Sequence, residues 1–96
     1  MITISSYYGN SASAENNAKV VTVDGVSFYF SYETIVAVKD HESGDLKVIQ
    51  NYWGPTTGKH LNEIDGGSKE AKAERLDNDA FDKLVEQIKT QVYVGA

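Results

Sequence analysis

Apolar residues alternate with polar ones along the first two thirds of the chain and then fall on a helical stripe. Ile2 and Ile4 alternate with Thr3 and Ser5 within Met1–Tyr8, which suits a short strand. Gly9–Asn17 (GNSASAENN) is small and polar with no period and reads as a flexible loop. Lys19–Tyr32 carries the clearest signal. The β-branched run Val20-Val21-Thr22-Val23 ends at Asp24-Gly25, a pair suited to a two-residue type I′ turn, which needs positive φ at both positions. Val26–Tyr32 then alternates strictly. Such a turn pairs Val23 with Val26 and Val21 with Phe28, on one face with Phe30 and Tyr32. Thr22, Ser27 and Ser31 take the other face. Turn chemistry and hydrophobic pattern agree on this register.

After a break at Glu33-Thr34, Ile35-Val36-Ala37-Val38 reads as a strand apolar on both faces. Asp40–Asp45 (DHESGD) is a polar turn. Leu46–Trp53 is another strand, with Leu46, Val48 and Tyr52 on one face and Ile49 and Trp53 on the other. Two-faced apolar strands imply central positions or a second covered surface. Leu61–Ile64 is a candidate last short strand, and Asp65–Lys72 a loop or weak helical turn. Over Leu76–Val92 the residues Phe81, Leu84, Val85, Ile88 and Val92 form a single helical stripe. Asp77 or Asn78 can cap its start, Asp79 and Asp82 suit the positive end of the dipole, and Lys89 lies near the negative end.

The expected fold is therefore α+β: an antiparallel β-meander of about four to five strands, with one C-terminal helix packed on one face. The expected organisation is a single domain over 1–96, with an N-terminal strand and loop at 1–18, the meander at 19–64 and the helix at 76–92. A chain of 96 residues buries one core with little surplus stability. It has no cysteine, so neither a disulfide nor a thiolate metal site is available. No apolar run nears the roughly 18 residues of a membrane span. The first residues lack a basic start followed by an apolar stretch. The expectation is a cytoplasmic protein with no membrane partner.

A net charge of -5 and a pI near 4.8 disfavour broad binding to nucleic acid and suit a basic protein partner. The stretch NYWGPTTGKHLN, residues 51–62, holds the only Trp and the only Pro. Its GPTTGK core suggests a phosphate loop. Gly54 stands one residue too close to Gly58 for that motif, His60 replaces the magnesium-binding hydroxyl, and no helix is expected to follow. A Pro/Gly-bent loop is the simpler account. A binding loop is compatible with it, because Tyr52, Trp53, Thr57, Lys59, His60 and Asn62 combine aromatic, cationic and hydrogen-bonding groups.

Other chemistry is sparse. His41 and His60 lack metal-ligand spacing, and no catalytic set or cofactor motif can be assigned. A hydrolase centred on His60 is the weakest reading. Asp79, Asp82 and Glu86 are expected on the helix face opposite the apolar stripe. They form either a solvated face or an acidic surface imitating phosphates, and Lys83 and Lys89 interrupt it. Six tyrosines are many for this length. Tyr29, among Ser residues, can make an interaction surface or an oligomer interface, unless the segment carrying Ile2 and Ile4 covers it.

Taken together, VDGVSFYFSYETIVAV, NYWGPTTGKHLNEIDGG and RLDNDAFDKL resemble a family of small uncharacterised domains carried by phages and other mobile elements. The resemblance covers roughly Val20–Leu84. It is carried by a W-x-x-T-T-G-K-H-L-N segment, here Trp53, Thr57, Gly58, Lys59, His60 and Asn62, and by an Arg-Leu pair before a helix. It brings no activity with it. It implies a mobile-element origin, and small acidic proteins of that origin often bind host proteins stoichiometrically, including inhibitors of bacterial immunity of the anti-CRISPR kind. The expectation is a non-enzymatic binder of a host protein or defence complex in the bacterial cytoplasm. It would act through residues 53–62 with a neighbouring sheet face or the acidic helix. The runner-up is a small nucleic-acid-binding module, with Tyr52 and Trp53 stacking on bases and Lys59 and His60 on phosphate.

Overall fold

The computed structural model describes residues 2–6 and 18–94, with side chains described for 2–5 and 18–90. Five antiparallel strands follow chain order as a meander: β1 (Ile2–Ser6), β2 (Ala18–Val23), β3 (Val26–Ser31), β4 (Thr34–Asp40) and β5 (Leu46–Val48). Asp24 and Gly25 take φ of 51° and 83°, as a type I′ turn requires. Val23 lies opposite Val26 and Val21 opposite Phe28, the register expected from the sequence. β1 pairs edge to edge with β2, Ile4 opposite Val21, so it extends the sheet rather than covering a face of it.

Two features of β3 and β4 were not expected. Ser31 pairs with Thr34, so Tyr32 and Glu33 form a second two-residue turn. Tyr32 takes φ 57° and leaves the strand, 51% exposed, instead of continuing the apolar row of Phe30. Further along, Tyr29 pairs with Ala37 and Phe30 with Ile35, leaving Val36 as an extra residue in β4. Val36, Ala37 and Val38 are all buried. The two-faced apolar pattern of this strand therefore reports covered surfaces on both sides of the sheet.

The expected single C-terminal helix is corrected to three helices among the described residues: α1 (Pro55–Asp65), α2 (Lys69–Ala73) and α3 (Asn78–Val94). The expected strand at Leu61–Ile64 and the expected loop over 53–62 both lie largely in α1. Pro55 opens α1 because its fixed φ suits the first turn, where its missing N–H is not needed. Gly66 closes it with φ 86°, a left-handed cap. Thr57, His60, Leu61 and Ile64 stand at i, i+3, i+4 and i+7. The first three are buried and Ile64 is packed against the core. Two members of that inner stripe are polar, which conceals the helical period.

β5 ends at Val48, not at Trp53. Leu76 then lies alongside it in parallel, with Leu76 N–H donating to Val48 O at 2.8 Å and Gln50 N–H donating to Leu76 O at 2.9 Å. Ser68 caps α2 through Ala71 N–H at 3.0 Å. Asp77 caps α3, accepting from Ala80 N–H at 2.8 Å.

Alternation along the strands puts Val21, Val23, Phe28, Phe30 and Ile35 on one sheet face, where they border a groove with Phe81 and Val85 of α3. The opposite face carries Tyr29, Ser31, Leu46 and Val48. There Ser31 meets α1, and Leu46 and Val48 border Asp65, Ala71 and Arg75. The arrangement is a sheet between helices on both faces. Tyr29, expected to be partly exposed, is half-buried, and burial raises its phenol pKa. Tyr7, Tyr8 and the Gly9–Asn17 loop lie outside the described residues. No described helix is long and apolar enough to cross a membrane.

Candidate functional site

The 51–62 stretch divides into an anchored turn and the first turns of α1. Asn51 Oδ1 accepts from Trp53 N–H at 2.9 Å, and its Nδ2 donates to Gly54 O at 3.2 Å. The Tyr52 hydroxyl accepts from Asn78 N–H at 3.0 Å, satisfying one of the amides that a helix start leaves without an internal partner. Trp53 meets Tyr52 edge to face, ring centres 6.1 Å apart. Tyr52 and Trp53 are 52% and 45% exposed.

Inside α1, Thr57 and His60 point to the sheet. Ser31 Oγ lies 3.0 Å from Thr57 Oγ1 and 2.6 Å from His60 Nδ1, all three side chains buried. The Tyr32 ring sits 5.9 Å from the His60 ring. Burial holds the His60 pKa below the ordinary imidazole value. A Ser-His contact can in principle activate a nucleophile. At 2%, 1% and 6% exposure Ser31, His60 and Thr57 form a buried polar joint between β3 and α1 rather than part of the exposed surface.

Asn62 is held from the other side. Arg75, itself buried, donates from Nη2 to Asn62 Oδ1 at 3.1 Å. It also forks onto Asp65, Nε to Oδ2 at 2.8 Å and Nη2 to Oδ1 at 3.0 Å. Asp65 Oδ1 also accepts from Gly67 N–H at 2.9 Å. Burial alone pushes the Asp65 carboxyl up, but the Arg75 and Gly67 hydrogen bonds and the Arg75 charge outweigh it and hold the pKa below the usual range. Gly67 has φ 67°, and a Cβ there would lie 2.8 Å from the Asn62 side chain, so this corner needs glycine. Asp65 and Arg75 were missed as a pair. Their only sequence signal is the Arg-Leu pair before the helix.

Of the three grounds expected against a phosphate loop, the missing helix does not hold. A helix does occupy the segment, and Gly58 N–H donates within it to Gly54 O at 3.1 Å instead of pointing to an anion. The short spacing and His60 exclude the motif independently. His41, read as a solvated turn residue, is exposed but places Nε2 2.6 Å from Ser27 Oγ, which is 2.7 Å from Thr22 Oγ1.

The described surface offers a second feature. The groove beside α3, about 920 Å³, has an apolar floor of Val21, Val23, Phe28, Phe30, Phe81 and Val85. Asp82 and Glu86 border it, so they do not face away from the apolar stripe as expected. Lys89 Nζ lies 4.0 Å from Glu86 Oε1. Ile2 lines its outer side, and Ile2 and Ile4 on β1 are 66% and 68% exposed. Asp79 is exposed in the first turn of α3, beyond this border. The structure thus leaves Tyr52, Trp53, Lys59 and Asn62 at the surface, buries Thr57 and His60, and adds a groove that the sequence did not reveal.

No curated protein and no solved structure matches the chain. One family model matches residues 2–83, from β1 into the second turn of α3. The chain belongs to the family of unknown function DUF8033.

Proposed function

We propose that this chain is a protein-binding module that uses the groove between α3 and the β1–β2 end of the sheet. The observation that carries the reading is the apolar groove whose partly exposed floor residues Val21, Val23 and Phe30 run out to Ile2 and Ile4 on β1, both about two-thirds exposed. Contiguous exposed apolar surface with a polar border marks interaction sites more often than isolated apolar residues do. Loss of captured partners from the variant Ile2→Asp/Ile4→Asp, with Thr3→Asp on the other face of β1 as control, supports it. Full retention by the double variant overturns it.

The finer reading, a stoichiometric inhibitor of a bacterial defence system, rests on the resemblance to mobile-element domains. Its test is whether the expressed chain restores plaque formation in a host carrying a defined CRISPR or restriction system. The nucleic-acid module keeps exposed Tyr52, Trp53 and Lys59 in its favour. Against it, Tyr52 is tied to the start of α3, where Asp77 and Asp79 would repel phosphate. Salt-sensitive binding of a single-stranded oligonucleotide that is lost on Trp53→Ala would favour it.

A further inference from the structure

The part of the grooved sheet face that α3 leaves uncovered has room for one helix. Five strands at about 4.8 Å spacing span roughly 19 Å between outer strands, while a helix with its side chains is about 10–12 Å across. A sheet face of that breadth holds two helices side by side. α3 is one: Phe81 and Val85 join the core with Phe28 and Val38. The place beside it lies over β1 and β2, floored by Val21 and Val23 and bounded by Ile2.

The two long sides of that place differ in charge. On the α3 side stand Asp82 and Glu86, one helical turn apart, with Glu33 at the β3–β4 turn. Among the described groove-lining residues the one cation, Lys89, lies against Glu86. On the β1 side the residues Ile2–Ser5 carry no charge. Lys19, opposite Phe30 and hence on the same sheet face, marks one end. The complement is a segment apolar underneath and basic along the flank that meets α3.

Resting on the protein-binding reading above, the geometry points to one class of occupant: an amphipathic helix of a partner protein, about three turns long, with Lys or Arg along one flank. Strands of five to six residues run about 17–20 Å, the length of some 11–13 helical residues. An apolar stripe at i, i+3, i+4 and i+7 fills the floor, and basic residues one turn apart meet Asp82 and Glu86.

The test uses the full chain and three fluorescein-labelled peptides of 14 residues each. One has a Leu stripe with a Lys flank, one the same stripe with a Glu flank, and one the Lys peptide scrambled to remove the helical period. Anisotropy titrations should show the Lys-flank peptide binding at least tenfold tighter than the other two and gaining helicity by circular dichroism. Asp82→Lys/Glu86→Lys should reverse the preference toward the Glu-flank peptide, and Ile2→Asp/Ile4→Asp should weaken binding at least tenfold. Equal binding of the scrambled peptide, no reversal, or no binding by any peptide overturns the inference. So does a concentration-dependent dimer abolished by Ile2→Asp/Ile4→Asp, which would make the occupant a second copy. If the peptides fail while captured partners are lost on Ile2→Asp/Ile4→Asp, the helix inference falls and the binding reading stands. If the peptides fail and the partners remain, both fall.

Discussion

Replacing Arg75 by Met should be among the most damaging single changes in this chain. The Arg75 and Asp65 side chains are only 7% and 8% exposed. Removing the guanidinium leaves Asp65 buried with one remaining donor outside its own backbone, Gly67 N–H. Breaking a buried ion pair from one side costs about 3–5 kcal/mol, because the surviving charge keeps its desolvation penalty. A domain of this size holds roughly 5–14 kcal/mol in total, so the loss is a large fraction of it. With a urea slope of about 1–3 kcal/mol/M, the unfolding midpoint should drop by at least ~1 M. Asp65→Leu/Arg75→Met removes both charges and should recover most of the loss, giving a coupling of at least ~2 kcal/mol in a double-mutant cycle. The pH dependence has a defined sign. In the native chain the Asp65 pKa is depressed, so its stabilisation is present above the unfolded value near 3.8 and is lost as pH falls through the lower folded value. In Arg75→Met both Arg75 contributions that lower Asp65 are gone and only backbone donors oppose its burial, so its folded pKa rises from the wild-type value. Acidification then relieves the buried charge, and the gap between variant and wild type narrows from pH 7 to pH 4. A loss under ~1 kcal/mol at pH 7, or a gap that widens on acidification, refutes the reasoning.

His60 gives a second pH signature. Its folded pKa lies below the unfolded value near 6.5, so its contribution is whole above that pH and falls as pH drops from there toward the folded value. Urea midpoints of His60→Gln should show less loss between pH 7 and pH 5 than those of the wild type. Tyr52→Phe should cost about 0.5–1.5 kcal/mol in thermal or urea unfolding, because only the hydrogen bond to Asn78 N–H is removed. Gly67→Ala, with positive φ and the Asn62 side chain in the way, should cost at least ~1 kcal/mol, and a neutral result would mean that the corner is loose. Phe81→Ala, at 1% exposure, should cost about 3–5 kcal/mol.

The hairpin at Asp24-Gly25 was legible because a two-residue turn and the alternation around it specify the same register. The stripe of α3 was legible because its inner positions are uniformly apolar. α1 was hidden for the opposite reason. Its inner face matches a polar spot on the sheet, Ser31, so Thr57 and His60 stand where a helical pattern would show aliphatics. Its end signals, Pro55 first and Gly66 last, were present and were read as turn residues. Arg75 and Asp65 are ten residues apart and look like ordinary surface charges until α1 and α2 bring them together. The groove was not legible because it depends on how much of a sheet face one helix covers. The residues that most resembled a recognition loop are divided between an exposed aromatic pair, the polar joint under α1, and Lys59 and Asn62 on its outer side.

The Leu76 bridge has a consequence for assembly. It occupies Val48 O and Gln50 N–H at the end of β5, while among the described residues β1 pairs only with β2. β1 also lacks the charged residues, prolines and bulges that usually blunt an edge. A sheet with two open edges can polymerise without limit, each added copy exposing a new edge. A sheet with one open edge can join only once. Two copies meeting β1 to β1 about a two-fold axis would consume the β1 edge of each. At Val48 and Gln50 the Leu76 bridge takes up backbone groups through which a further strand would add, which disfavours growth from that side of the sheet.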